Sequence, residues 1–487
     1  MTAFTPLFIN GASTAASDGG TFEVRNSYTG KVVGTAASAT SADCKAAIEA
    51  AGKALRKWEE TRPTDRGRIF QKAIDLLQTD EYKQKIQQAV REEISAAEDW
   101  SYFSWVASIN TLRGAVNMVA QLKGDMYLSE AVPGATVFTQ RRPMGVIFAI
   151  GPWNAPVTLA LRAVAAPIIC GNTVVFKGSE FSPSSQAIAV EVLAEAGLPP
   201  GVVNFISVSR ENAPALTAEI IGHPLVRKIN FTGSDRVGRI IATEAAKYLK
   251  PCVLELGGKA PTIVLDDADL TEAAKAIVHG ALTFSGQVCM STERVIAQSG
   301  IAQDLLSRIR ELCEKMKAGD PSDPAVKFSA LFTEMSAENV VGMMREAQGQ
   351  GANVLFGDLQ RQGALVTPHV VTDVRPGMRL WDRESFGPVI TFAVAQTVDE
   401  AVELANASEY SLTASLWSKD RFAALEIAPR IRSGYVNING PTLHSEPGIG
   451  LIGLGGASGY GRFDVEAFTD KRAFIVHSSG RKYPFLN

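Results

Sequence analysis

The chain has 487 residues, of which 46% are hydrophobic and 20% charged, with a formal net charge of −3. This length exceeds the roughly 250–300 residues at which a single core stops growing, so two or three domains are expected. Lysine and arginine are scattered along the chain, which excludes the concentrated basic face of a nucleic-acid or membrane-surface protein.

The start, MTAFTPLFINGASTAASDGG, lacks a basic segment followed by an apolar core, so no secretory signal is predicted. The 5 cysteines include no CxxC pair and fit a reducing compartment; cytoplasmic residence is the expectation. The apolar stretches 144–151 and 157–170 are too short, or too interrupted by Pro156, Arg162 and Pro167, to span a bilayer. Short apolar runs predict strands at 146–150, 173–176, 203–206, 228–231, 252–256 and 262–265, with helical patterns between them. Helices are predicted at 186–196, ended by Gly197 and a Pro pair, and at 236–249. A second series places helices at 301–317, 336–348 and 396–407, and strands at 353–356, 389–393, 415–417 and 435–438. Such alternation is the mark of an α/β fold, and a boundary is placed just after 252–256, where a Gly pair breaks the pattern.

Six segments carry candidate chemistry. Asn154 lies in Gly-Pro-Trp-Asn-Ala-Pro directly after strand 146–150; it is either a turn residue or an amide donor to a developing oxyanion. Strand 173–176 runs into Lys177 and Glu180, and a carboxylate there bonds ribose hydroxyls and repels a 2′-phosphate, favouring NAD over NADP. Phe-Thr-Gly-Ser at 231–234, with Gly233 and Ser234, is a strand–turn–helix junction able to hold a pyrophosphate. Glu255, at a strand end before Gly257 and Gly258, is either a general base or a partner of Lys259 or Arg294. Cys289, in Ser-Gly-Gln-Val-Cys-Met-Ser, is either an activated nucleophile or a buried structural thiol. Glu-Ser-Phe-Gly-Pro at 384–388 reads by composition as a loop, and the 5 histidines show no close ligand spacing, so no metal site is expected.

In their order and spacing these segments resemble the aldehyde dehydrogenase superfamily over nearly the whole chain. The segments are Gly-Pro-Trp-Asn, Val-Val-Phe-Lys-Gly-Ser-Glu, Phe-Thr-Gly-Ser, Glu-Leu-Gly-Gly-Lys, Gly-Gln-Val-Cys and Glu-Ser-Phe-Gly-Pro. The resemblance implies Cys289 as nucleophile, Glu255 as general base, and Asn154 with the Cys289 backbone N–H as oxyanion hole. It also implies NAD as cofactor, with Lys177 and Glu180 on the adenosine ribose and Gly233 and Ser234 at the pyrophosphate. Gly257 would lie at the cofactor, Glu384 on the nicotinamide ribose and Phe386 beside the nicotinamide. Trp153, counted with the cofactor residues, would begin the helix that walls the substrate tunnel. The implied fold is a Rossmann-like cofactor domain (1–119 and 143–256), an α/β catalytic domain (257–452), and a β oligomerisation flap with the C-terminal tail (120–142 and 453–487). A homodimer or homotetramer is implied, with a small-molecule aldehyde as the partner.

Cys-Met-Ser-Thr-Glu-Arg at 289–294, Phe-Lys-Gly-Ser-Glu-Phe-Ser-Pro at 176–183 and Gly-Tyr-Gly-Arg-Phe-Asp at 459–464 resemble the salicylaldehyde and vanillin dehydrogenase branch, as does Tyr-Pro-Phe at 483–485. An aromatic aldehyde is therefore the expected substrate, with aliphatic or semialdehyde oxidation and CoA acylation as alternatives. A non-catalytic binding protein and a Cys–His hydrolase are weaker readings. Arg162 is either a ligand for a phenolic or carboxylate substituent, or a structural arginine paired with an acid. The stretch 451–458 departs from the family pattern of Pro-aromatic-Gly-Gly followed by Lys.

Overall fold

The computed structural model describes residues 3–446, 450, 453–480, 483 and 485. Its larger sheet has 8 strands, and 5 of them form a parallel core. Across this core the strands run Cys252–Glu255, Val226–Thr232, Val146–Ile150, Thr173–Lys177 and Val203–Ile206. Val146–Ile150 is thus flanked on one side by the strand that follows it in sequence and on the other by a much later one. This reversal of strand order opens a crevice at the carboxyl ends of Val146–Ile150 and Val226–Thr232, where α/β sheets bind ligands. Every residue of Val146–Ile150 and Thr173–Lys177 is buried, as parallel strands covered on both faces require.

The second sheet has 7 strands, in the order Asn353–Phe356, His369–Thr372, Val389–Ala395, Thr292–Gln298, Ala260–Val264, Thr413–Trp417 and Tyr435–Ile438. All pairs are parallel except the first. The link from Glu255 to Ala260 leaves the carboxyl end of the first sheet and enters the amino end of the second. The segments carrying Cys289 and Glu384 lead into Thr292–Gln298 and Val389–Ala395, which enter the same end of the same sheet. Three adjacent strands of one sheet thereby deliver their leading loops to the crevice of the other.

The α/β expectation holds, and boundaries moved by a few residues. The helix expected at 236–249 is Asp235–Ala246, that at 301–317 is Ala302–Glu314, and that at 396–407 is Val398–Asn406, capped by the Thr397 hydroxyl. Leu270–Leu282 and Arg421–Ile427 were not assigned from sequence, nor were four helices nearer the start: Ser41–Trp58, Pro63–Leu77, Asp80–Ile94 and Glu98–Asn117. The last two pack against helices of the first sheet's cover, so their apolar faces serve a core assembled from distant segments.

Met126–Leu128, Thr136–Pro143 and Thr469–Val476 make a separate antiparallel sheet. Met126, Tyr127, Leu128, Phe474, Ile475 and Val476 are exposed on it. Gly459–Tyr460 instead pairs with the Glu255 strand, so part of the C-terminal region belongs to the first sheet. Of the departing stretch, 451 and 452 lie outside the described residues. Its remainder packs on the strand Cys252–Glu255 and the residues after it through Leu256 N–H to the Ser458 carbonyl (3.2 Å) and Ser458 Oγ to the Gly257 carbonyl (2.7 Å). Pro484 of the terminal motif also lies outside the described residues. Among the described residues, no helix is long and apolar enough to cross a membrane.

Candidate active site

Three loops meet at the crevice. The loop after Val146–Ile150 carries Trp153 and buried Asn154, and the helix itself begins only at Pro156. Trp153 therefore precedes the helix it was expected to begin: Pro156 takes the first helical position, and Ala155 before it is held out of helical geometry at φ −134° and ψ 68°. The Asn154 amide donates to the Gln287 carbonyl at 2.9 Å, and its own carbonyl accepts from Trp100 Nε1 at 2.9 Å. A carboxamide has two N–H donors, so the bond to Gln287 orients the group and leaves one donor over. Since Gln287 is two residues before Cys289, this contact joins the amide loop to the thiol loop.

The thiol loop is locally strained. Phe284 and Ser285 have φ of 49° and 58°, and Gly286 follows at 76°. The strain is held by Ser285 Oγ donating to the Ser329 carbonyl (2.7 Å) and by Phe284 stacking on Trp100, with centroids 5.0 Å apart and planes at 5°. Cys289 is partly open to solvent. Burial of the sulfur, followed by the charge of Glu255, pushes its thiol well above the usual 9.0, while Arg162 acts in the opposite direction. The charged groups beside it are two carboxylates, Glu255 and Glu384, and one arginine. No imidazole is among them, which removes the support for a Cys–His pair.

Glu255 is buried, and its partner is neither Lys259 nor Arg294. It forms an ion pair with Arg162, whose second contact is Thr232 Oγ1 at 3.1 Å. Lys259 instead pairs with buried Glu293, and Arg294 donates to the carbonyls of Lys259 (2.9 Å), Leu404 (3.0 Å) and Ala405 (2.9 Å). Strand direction explains the exchange. Lys259 and Arg294 belong to the second sheet, whereas Glu255 ends a strand of the first, where Arg162 of the covering helix supplies the cation. The Gly pair does provide close approach. A side chain at Gly258 would collide with the Cys289 carbonyl oxygen, and one at Gly257 would meet Glu384 Oε2 at 2.5 Å.

Glu384 Oε1 accepts from Gly258 N–H at 2.9 Å; burial, then the charge of Glu293, raises its carboxyl well above the usual range. Glu293 also accepts the N–H groups of Ser385 (2.9 Å) and Phe386 (3.3 Å), which hold Phe386 at a φ of 51°. Phe386 meets Trp153 edge-on at 5.9 Å, Trp153 stacks on Phe332 at 4.2 Å, and Phe332 meets Phe181 at 5.2 Å. This aromatic row leads from the thiol loop to a cavity of about 800 Å³ lined by Glu180, Phe181, Phe332 and Arg210. The cavity lies at the Glu180 end and does not include Cys289.

Lys177 is buried at its strand end, with Nζ donating to the Gly178 carbonyl at 3.1 Å; burial lowers its ammonium, and nearby Glu180 opposes that shift. Gly233 N–H donates to the Glu255 carbonyl at 3.1 Å, and Ser234 caps the helix Asp235–Ala246. A buried ammonium held by one carbonyl, a capped helix start and the Gly257–Glu384 cradle fit a nicotinamide dinucleotide. Gln186, Gln287, Glu293, Thr232, Trp100 and Phe332 escaped the sequence reading. Gln186, for example, holds the Asn154 loop by donating to the Pro152 carbonyl at 2.9 Å. The Glu-Arg pair after Cys-Met-Ser-Thr hinted at Glu293, and Gln287 and Thr232 stood inside Gly-Gln-Val-Cys and Phe-Thr-Gly-Ser without a role of their own, while nothing local marked Gln186, Trp100 or Phe332.

Removing the charge in Lys259→Met is expected to destabilise the fold by about 3–5 kcal/mol, because it leaves Glu293 buried without its counter-ion. Urea unfolding checks this. The cofactor affinity of the folded fraction, followed by tryptophan quenching, should fall as the 384–386 loop loosens.

Comparison with known proteins adds four observations. The profile described as "Aldehyde dehydrogenase family" matches residues 14–473. The chain is 40% identical over 483 residues to a vanillin dehydrogenase of Pseudomonas fluorescens, covering 98% of this chain and 99% of that one. It is 32% identical to an NAD(+) benzaldehyde dehydrogenase of Pseudomonas putida, covering 96% and 95%. Among solved structures, a salicylaldehyde dehydrogenase from Pseudomonas putida G7 complexed with salicylaldehyde superposes with a TM-score of 0.96 at 37% identity, covering 99% and 100%.

Proposed function

Because this chain belongs to the aldehyde dehydrogenase family, we propose that it oxidises an aromatic aldehyde to the carboxylic acid with NAD. The observation that carries the reading is the meeting of the Asn154, Glu255 and Cys289 loops at one crevice, tied by Asn154 to Gln287 and by Gly258 against the Cys289 carbonyl. The Cys289 sulfur bonds to the aldehyde carbon while its proton passes to Glu255. Asn154 and the Cys289 N–H receive the oxyanion, and one such donor contributes about 3–4 kcal/mol to barrier lowering. A nicotinamide ring, when bound, supplies the hydride acceptor for the tetrahedral carbon. Glu255 releases the thiol's proton to solvent, then takes a proton from water as the water oxygen bonds to the thioester carbon, and the C–S bond breaks to return the thiolate.

Lys177 and Glu180 are assigned to the adenosine ribose, Gly233, Ser234 and Gly257 to the cofactor cradle, and Glu384 and Phe386 with Trp153 to the nicotinamide end. The carboxylate of Glu180 supports NAD as the preferred form, since a 2′-phosphate would meet like charge. Buried rings stand behind the thiol loop and the Arg162 guanidinium: Phe284 stacks on Trp100, and the Phe463 ring centroid lies 4.6 Å from the Arg162 guanidinium carbon, which supports a flat aryl group as substrate. We assign the exposed apolar sheet of Met126–Leu128, Thr136–Pro143 and Thr469–Val476 as the oligomerisation flap, and 1–119 with 143–256 and 257–452 as the cofactor and catalytic domains. Dimer or tetramer formation is read by sedimentation. The free cysteines support a reducing, cytoplasmic setting.

The test is a panel of benzaldehyde, hydroxybenzaldehydes, hexanal and succinate semialdehyde with NAD or NADP, with and without CoA. Higher kcat/KM for the aryl aldehydes with NAD, and free acid as product, is the expected outcome. A preference for hexanal or the semialdehyde would overturn the aromatic assignment, and an acyl-CoA product would overturn the hydrolytic one.

A further inference from the structure

Arg162 is the one charged residue on the helix Pro156–Ile169, where every other residue except Thr158 is buried. A cation on such a helix persists only if it is paired, because an unpaired charge is costly away from water. Three contacts hold it: the Glu255 carboxylate, Thr232 Oγ1 at 3.1 Å, and the Phe463 ring at 4.6 Å. Thr232 and Glu255 are register partners on adjacent parallel strands, so the guanidinium spans two aligned positions of the sheet. The Glu255 backbone is fixed as well, by Gly233 N–H on one side and by pairing with Gly459 on the other.

The two oxygens of Glu255 differ. Oε2 is engaged by Arg162, whereas Oε1 is buried with no nitrogen or oxygen partner among the described residues, and the carboxylate lies within hydrogen-bonding reach of the Cys289 thiol. A general base needs one oxygen held and the other free to receive a proton. Resting on the role proposed above for Glu255, we propose that Arg162 is the positioning residue of the base: it anchors Oε2 so that Oε1 is presented beside the Cys289 sulfur. The charged and titratable groups that share this space are Cys289 and Glu384, with Glu293 and Lys259 acting on Glu384 from the second sheet. Lys259 offsets the charge at Glu384, and Arg162 is the cation that acts on Glu255 and Cys289. A salt-bridged guanidinium is not free to serve first as a ligand for a substrate substituent, so its effect should extend to every aldehyde alike.

Arg162→Met and Arg162→Lys, compared with the unaltered enzyme, test the assignment on benzaldehyde and a hydroxybenzaldehyde by rapid mixing. In Arg162→Met the steady-state kcat should fall at least about tenfold on both aldehydes, within the span a general base contributes. KM should change less than kcat, and a first-turnover burst of reduced cofactor should remain. Hydroxylamine attacks the thioester carbon with its nitrogen, expels the Cys289 thiolate and needs no base, so it should restore turnover. Arg162→Lys should recover part of the loss. A rise in KM confined to the hydroxylated aldehyde overturns the proposal in favour of substrate recognition. Loss of burst and steady state together, with the rate of Cys289 alkylation unchanged, overturns it also.

Iodoacetamide alkylation of Cys289 gives a readout independent of turnover, and it should slow several-fold in Arg162→Met as the nearby positive charge is lost. An unaltered enzyme that turned over no aldehyde, together with slowed alkylation in the variant, would reject the dehydrogenase reading and leave the pairing role standing. Unchanged alkylation in both variants would reject the pairing role itself. If Arg162→Met does not fold, the lysine variant carries the same comparisons.

Discussion

Cys289→Ala is expected to lose aldehyde oxidation by about a million-fold, the scale seen when a nucleophile that acts as part of a unit is removed. No other thiol substitutes for it. Cys44, Cys170 and Cys313 are buried, and Cys252 is at the start of the Glu255 strand, away from its catalytic end. The loss should appear in the first turnover as well as in the steady state, because no thioester forms without the sulfur. Cys289→Ala removes a single sulfur atom, so the melting curve should stay close to that of the unaltered protein. Appreciable turnover in this variant would reject the thioester scheme.

The same residue predicts a pH dependence. Burial and the adjacent Glu255 charge raise the thiol above 9.0, so the reactive thiolate is scarce at neutral pH and grows as pH rises. Alkylation of the cofactor-free enzyme by iodoacetamide should therefore accelerate continuously on the alkaline side of neutrality. A plateau at or below neutral pH would show that the sulfur is already ionised, and that a base is not needed to take its proton.

Glu255→Gln is expected to lower steady-state turnover by about 10²–10⁴-fold, the usual contribution of a positioned base. Glutamine keeps a carbonyl oxygen for Arg162 and the side-chain volume of the original, so the loss reports proton transfer and not collapse of the site. If the role is activation of water, a first-turnover burst persists and hydroxylamine accelerates acyl release. If the role is activation of the thiol, the burst itself slows, and alkylation of Cys289 slows with it. A rate within twofold of the unaltered enzyme would remove Glu255 from the chemistry.

The strands of the first sheet were readable because burial on both faces leaves a nearly continuous apolar run, as at 146–150 and 173–177, ended by Gly or a polar loop. The Gly-Gly after Glu255 was likewise readable as a place of close approach, since only a residue without Cβ fits against another backbone. The four helices before residue 118 were not, because their apolar faces are completed by segments far along the chain.

Local sequence thus determined the α/β class, the ordered motifs and the residues that resemble a family's catalytic set. Tertiary structure alone decided their electrostatics. Arg162 reaches Glu255 across 93 residues, Glu293 reaches the N–H of Ser385 across 92, and Asn154 reaches the Gln287 carbonyl across 133. Periodicity and turn chemistry act over a few residues, whereas the partner of a buried charge depends on which element the completed fold lays against it. For that reason Lys259 and Arg294, near Glu255 in sequence, serve the other sheet, and the distant Arg162 holds the carboxylate.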